Sequence, residues 1–283
     1  GLRPTDYHLE RLRDLASRGR STSTADLVDL DLLATDAFLV LGSHLLQGRV
    51  DPVQVKAEWL ADRRGADMEL VLADALEGGD VPGALDALRP AQPKYRQMRD
   101  ALARLRSAET SGGWPTVENG PTLKPRDEGP RVGALRLRLQ ASGDLAPDTP
   151  GREPERFDGD LEAAIRRFQK RHGLEADGAV GRQTLDALNV PVAERIERLV
   201  VNLERWRWMP ADLGRRHILV NIPDFAVVIR DNGEVVLRLR AIVGREYRQT
   251  PVFSSRMSYL VLSPFWHVPP GIAANDKFPV IRR

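Results

Sequence analysis

Phe168-Gln169-Lys170-Arg171-His172-Gly173-Leu174, followed by Asp177-Gly178-Ala179-Val180-Gly181-Arg182-Gln183-Thr184, is the run whose reading decides the middle of the chain. Ahead of it Leu161, Ala164, Ile165 and Phe168 recur at helical spacing, and His172-Gly173 ends the pattern. Asp177-Gly178 favours a turn with positive φ, and Val180 can then dip into a core. Gly181 lets the backbone approach as Thr184, Leu185 and Leu188 open and line the next helix. Upstream, Val132, Leu135, Leu137 and Leu139 mark an earlier helix, separated from the second by a polar, Pro-containing loop from Ala146 to Phe157. These patterns predict a compact three-helix unit over 113–192.

Working outward, the first 112 residues read as helices. Leu9, Leu12, Leu15 and Ala16 form one stripe, and Leu27, Leu30, Leu33, Ala34, Ala37, Phe38, Leu41 and Leu45 a longer one. A last helix carries Tyr95, Met98, Leu102 and Leu105. Thr24, Asp51-Pro52 and Asp80 mark helix starts, with Gly19, Gly48 and Gly78-Gly79 as stops. His44 reads as a partly buried helix-end histidine rather than a ligand. Gly, Pro and Thr between 112 and 130 mark a boundary.

After Pro191 a linker helix over 193–215, with Ile196, Leu199, Val200 and Leu203, leads to Trp206-Arg207-Trp208; both indoles read as packing the linker on a domain. The period then changes. Ile218 to Ile222 and Ala226 to Ile229 are β-branched runs, and Asn232-Gly233 supplies the two positive φ values of a type I′ hairpin turn. The partner strand is Val235 to Val243, and a fourth strand is expected from about Arg256 to Leu262. The expected fold class is multidomain α + β: a helical scaffold over 1–112, the three-helix unit, the linker helix, and a partial, mostly-β domain over 216–283.

Composition narrows the function. The 283 residues are 42% apolar and 29% charged, with a net charge of +2, too small for a nucleic-acid footprint without a local cluster. The most apolar window, Leu32 to Leu46, holds Asp36 and His44 and is shorter than a bilayer span, so a soluble chain without an integral membrane segment is expected. There is no cysteine, which excludes disulfides, thiolate metal sites and cysteine nucleophiles. No metal-ligand spacing and no cofactor motif is present, so metal and cofactor are both expected to be none. The chain opens Gly1-Leu2 without Met or an apolar leader, which reads as a removed leader or a start inside a longer protein.

Two motif sets carry a resemblance. The Phe168 to Leu174 run with Asp177-Gly178-x-Val180-Gly181-x-x-Thr184 closely resembles the three-helix peptidoglycan-binding module of bacterial wall enzymes. Val243-Gly244-Arg245, Gln249-Thr250-Pro251-Val252-Phe253 and Leu262-Ser263-Pro264-Phe265-Trp266-His267-Val268-Pro269-Pro270-Gly271-Ile272-Ala273 look like the first half of an L,D-transpeptidase catalytic domain. Their order resembles the large multidomain Gram-negative L,D-transpeptidases over essentially the whole chain, although His267 stands where that family often has Asn. The resemblance implies a periplasmic, cell-envelope protein acting on peptidoglycan stem peptides and glycan strands. It also implies acyl transfer in which a thiolate displaces a terminal D-alanine and a neighbouring amine resolves the thioester.

The family's Ser/Thr-x-Gly-Cys signature lies C-terminal to the Trp266 motif and is not in these residues, so no catalytic residue is assigned and the chain is expected to be truncated and inactive. An apolar end, Phe278 to Ile281, and an unpaired sheet edge argue the same way. Ser254, Ser255, Ser258 and Ser263 near His267 read as plain strand and loop serines, since no orienting third group accompanies them. For substrate binding, Trp266 offers an aromatic wall, Tyr259 a polar-tipped ring and Thr250 a hydroxyl, and each reads equally as a residue shaping the sheet. The alternative is a non-enzymatic peptidoglycan-binding or scaffold protein. Without a thiolate, the 283 residues should form no adduct with a carbapenem. Intact-mass spectrometry after incubation tests this, and a covalent adduct would redirect the search to a serine or lysine.

Overall fold

The computed structural model describes residues 1–19, 23–55, 59–60, 63–146, 153–245 and 249–281. Ser23, one residue ahead of the expected start, caps α2 (Thr24–Gln47). Its hydroxyl accepts from the Asp26 N–H at 3.1 Å while the Asp26 carboxylate accepts from the Ser23 N–H at 3.3 Å. Leu15 of α1 (Leu9–Ser17) is fully buried, and α1 packs along α2. Of the long stripe, Phe38 and Leu45 enter the core, joined by Leu46, while Leu27 stays exposed. Three further helices follow, α3 (Met68–Glu77), α4 (Val81–Ala87) and α5 (Pro93–Thr110). Asp80 caps α4 by accepting from the Gly83 N–H at 2.8 Å. His44 is half-buried, its Nδ1 is 3.0 Å from the Tyr7 hydroxyl, and burial lowers its pKa.

Among the described residues no helix follows Asp51-Pro52 ahead of α3. Residues 52–55 form a turn, and Trp59–Leu60 is a strand, β1, running parallel to Val252–Phe253. Val53 and Val55 are exposed, so a helix here would bury no face, and a short unpacked helix does not pay for its nucleation.

The central unit consists of α6 (Pro130–Ala141), α7 (Gly159–Arg171) and α8 (Arg182–Leu188). Val132, Leu135, Leu139, Leu161, Ile165 and Leu188 form its fully buried centre, with Val180 from the turn. Leu137 was expected on this stripe but is 58% exposed, because a position two residues from Leu135 turns to the opposite helix face. Gly178 holds φ +78°, as the Asp-Gly pair required. The fully buried Gln169 amide ties the turn to α7 and α8. It donates to Asp177 at 2.7 Å, the Ala179 carbonyl at 2.9 Å and the Thr184 hydroxyl at 3.1 Å, and accepts from the Gly178 N–H at 2.9 Å. The segment ahead of α6 is laced onto the unit: Asn189 both accepts from and donates to the Val117 backbone, and Leu123 pairs with Val180.

The expected linker helix, α9 (Val192–Arg207), lies against α5 and α2. Glu204 accepts from the Val50 N–H at 2.9 Å and pairs with Arg207 at 2.6 Å, and the Arg207 Nε donates to the Tyr95 hydroxyl at 3.2 Å. Trp208 is buried and Trp206 half-buried. Then β2 (Arg216–Asn221), β3 (Ala226–Asp231) and β4 (Glu234–Arg240) form an antiparallel sheet in that order. Asn232 at φ +50° and Gly233 at φ +82° make the hairpin turn read from the sequence.

The remainder departs from expectation. Among the described residues beyond β4 only Val252–Phe253, β5, is a strand, and 254–260 carry no regular structure. No described strand pairs with the alternating 256–262 segment, and alternation without a partner ladder does not make a strand. Helix replaces extended chain at the end, through α10 (Pro270–Ile272), a π turn (Ala273–Lys277) and α11 (Phe278–Ile281).

Replacing Gln169 by Leu keeps volume but strands the Gly178 N–H and the Ala179 carbonyl. Urea unfolding should show a loss of about 1–3 kcal/mol, and an unchanged midpoint would show that the amide is dispensable. A second expectation concerns His172, packed on the Phe168 ring with centroids 4.1 Å apart. Burial, then Arg195 and Arg171, lowers its pKa from 6.5 to about 4. The unfolded chain therefore takes up the proton first, so the contribution is complete above pH 6.5 and is lost as pH falls towards 4. His172→Asn should flatten part of the slope of stability against pH in that window, with His44 supplying a remainder of the same sign.

Candidate functional site

An open cleft of about 570 Å³ lies on the central unit, lined by Arg126, Glu153, Arg156, Phe157 and Asp158 among others. A short antiparallel ladder builds one wall. The Arg126 N–H donates to the Phe157 carbonyl at 3.0 Å, the Phe157 N–H to the Asp127 carbonyl at 2.9 Å, and the Gly129 N–H to the Glu155 carbonyl at 2.9 Å. Asp127 closes the preceding turn by accepting from the Lys124 N–H at 2.8 Å, which leaves Arg126 at φ +81° with an exposed side chain. Strain of this kind in a non-glycine residue persists where surrounding bonds over-determine it.

The floor is fixed from beneath. The fully buried Arg136 donates to the Pro154 carbonyl at 3.0 Å, the Arg156 carbonyl at 2.8 Å and the Asp158 carboxylate at 2.9 Å. Asp158 also caps α7 by accepting from the Leu161 N–H at 2.8 Å. Around the mouth, Arg156 pairs with Glu153 at 3.3 Å, while Arg126 makes no ion pair with any described residue. The cleft therefore presents a cation with spare donors beside carboxylates, a surface suited to polar, charged ligands. It escaped the sequence reading because its ladder joins 126–129 to 155–157, and no local pattern signals that pairing.

Elsewhere on the same unit, Arg138 is buried under Trp114, its guanidinium 4.0 Å from the ring centroid, and burial lowers its pKa to about 10. Its Nε donates to the Leu188 carbonyl at 2.7 Å, and the Trp114 indole N–H to the Val190 carbonyl at 3.1 Å. This stack holds the entry segment to the C-terminal end of α8 and leaves no open face for a ligand.

In the C-terminal region the three residues singled out for substrate binding lie apart. Tyr259 is 78% and Trp266 63% exposed, and Thr250 is half-buried. Among the described residues no hydrogen bond or ring contact joins them to one another. Thr250 is engaged locally, its hydroxyl accepting from the Gly244 N–H at 2.8 Å. Lys277 lies over Trp266 with its Nζ 5.2 Å from the ring centroid, a partner the sequence reading missed because ten intervening residues hide it. No Ser hydroxyl is hydrogen-bonded to His267 among the described residues. Nor do the described residues gather three or more His, Asp or Glu that could hold a metal ion. No described helix is long and apolar enough to cross a membrane.

Comparison with known proteins places these regions. Residues 1–102 match the family described as "Scaffold domain", 128–188 the "Putative peptidoglycan binding domain", and 215–283 the "L,D-transpeptidase catalytic domain". A protein of Haemophilus influenzae named "Putative L,D-transpeptidase" is 31% identical over a stretch covering 38% of this chain and 23% of that protein. The chain thus spans about a quarter of the length of the curated relative it matches. The helical bundle, the three-helix unit and the hairpin sheet coincide with the three matches in chain order. In that order, the chain carries a scaffold domain, a peptidoglycan-binding domain and L,D-transpeptidase catalytic-domain sequence.

Proposed function

We propose that the chain serves a peptidoglycan-remodelling L,D-transpeptidase of the cell envelope, working in the periplasm on stem peptides attached to glycan strands. The observation that carries this reading is the L,D-transpeptidase catalytic-domain match over 215–283, preceded in the same chain by a peptidoglycan-binding domain. The acyl transfer replaces the amide to a terminal D-alanine by a thioester, which a second stem's amine then resolves. Cysteine is absent from the 283 residues, so their part in that chemistry is binding and positioning. Within the catalytic-domain sequence, the exposed rings of Trp266 and Tyr259 offer apolar walls, and the Thr250 hydroxyl keeps a donor to spare beyond the bond it accepts. On the central unit, the Arg126 cleft offers a cation to stem-peptide carboxylates. A second reading, a non-enzymatic wall-binding protein, is favoured by the missing cysteine alone.

Co-sedimentation with purified sacculi tests the wall contact. Removing 130–190, or introducing Arg126→Glu with Arg156→Glu, should lower retention at least about fivefold, and equal retention by all forms would remove the central unit from the reading. Titration with a stem tetrapeptide separates the two readings. A transpeptidase groove predicts saturable quenching of Trp fluorescence that Trp266→Phe diminishes, whereas a wall-binding protein predicts no dependence on Trp266.

A further inference from the structure

A second, smaller pocket of about 160 Å³ lies where α2, α5 and α9 meet, and Arg89, Arg99, Arg106 and Arg207 surround it with Tyr95 and Leu45. Counter-charge there is short. Asp86 pairs with Arg89 and, at 3.9 Å, with Arg99, while Glu204 pairs with Arg207 at 2.6 Å. Arg106 has no carboxylate partner among the described residues. Next to this group Arg64 is 9% exposed, and its guanidinium donates to the carbonyls of Leu88 at 2.9 Å and Leu45 at 3.0 Å, with no carboxylate partner among the described residues. Among the described residues, five guanidinium groups thus share two carboxylates at one helix junction.

Unmatched charge in a partly dry site is costly, and the cost falls when an anion enters. Arg64 and Arg89 show the imbalance. Burial lowers both pKa values, and for Arg89 the next contribution is its neighbour Arg99, pushing the same way. Leu45 and Leu203 of the lining are buried, and the low dielectric beside them strengthens any ionic bond made there. The cavity of about 160 Å³ has room for an oxyanion group.

We propose that this pocket is a binding site for a small oxyanion, the shared chemistry of a carboxylate and a phosphate group, gripped by the guanidinium forks of Arg99 and Arg106 at the rim and Arg89 and Arg207 within. The bound anion bridges α5 to α9, the helix that continues through Trp208 into the catalytic-domain sequence. The site thereby links the scaffold to the segment that carries the transpeptidase motifs. It lies outside the central-unit cleft and stands whether or not that cleft binds the wall.

Calorimetric titration of the whole chain with inorganic phosphate and, separately, with D-glutamate, at ionic strength held constant with chloride, tests the proposal. Saturable binding of either probe is expected. Arg99→Gln and Arg106→Gln should each weaken it roughly tenfold, the worth of one charged hydrogen bond. Arg104→Gln, on α5 but not in the lining, should leave it unchanged. Binding of phosphate alone identifies a phosphate-bearing ligand, and binding of glutamate alone a carboxylate-bearing one. No saturable binding of either, or equal weakening by Arg104→Gln, overturns the site and leaves only diffuse electrostatic attraction.

Discussion

The buried pair between Glu204 and Arg207 holds the molecule's parts in register. Both side chains are almost wholly enclosed, and each makes one bond to another element: Glu204 accepts from the Val50 N–H, and the Arg207 Nε donates to the Tyr95 hydroxyl. A buried ion pair is tolerable only when neighbours satisfy its spare lone pairs and protons, and here those neighbours belong to the turn after α2 and to α5. The pair is therefore less a source of net stability than a constraint on placement. Three residues separate the end of α8 at Leu188 from α9, which delivers the chain to β2, so its seat decides where the central unit and the sheet are anchored.

Within the central unit the constraint is of another kind. Its core is a conventional apolar cluster, yet what gives the turn its shape is polar, namely the Gln169 amide and the positive φ of Gly178. A leucine core would accept several arrangements of the 174–181 turn. Four hydrogen bonds from a single enclosed side chain accept one, because any other leaves donors and acceptors unmatched away from water. Arg136 plays the matching part on the other side, fixing the loop that forms the cleft floor.

The catalytic-domain sequence is ordered by a different balance. The β2-β3-β4 hairpins pair antiparallel with a register shift between Ile229 and Arg230; Ala226 and Val228 are buried, while Val235, Val236 and Leu239 of β4 are exposed. Beyond them the chain makes few backbone pairings, and Phe253, Tyr259, Leu262, Phe265 and Trp266 remain exposed. One tie to the rest of the molecule is the parallel pairing of β5 with β1, which brings residues 252–253 beside 59–60 of the scaffold. Parallel pairing of segments so far apart in the chain gains its hydrogen bonds only after a long loop has closed, so it reports tertiary placement rather than local preference.

Sequence alone determined what depends on neighbours in the chain. Helical periodicity located α1, α2, α5, α6, α7 and α9, Asn232-Gly233 dictated the hairpin, and Asp177-Gly178 with Val180 and Gly181 marked the central turn, because capping, turn dihedrals and amphipathic spacing act over a few residues. Tertiary structure decided the rest. It replaced the helix expected after Asp51-Pro52 by a strand whose partner is almost two hundred residues away, denied the 256–262 segment a ladder, and turned 270–281 into helix. It placed Lys277 on Trp266, joined 126–129 to 155–157 as a cleft wall, and gathered arginines from separate helices around one pocket. Each of these rests on groups that meet only when the chain has folded, and the energies that select among them, of burial, pairing and counter-charge, carry no period that a linear sequence displays.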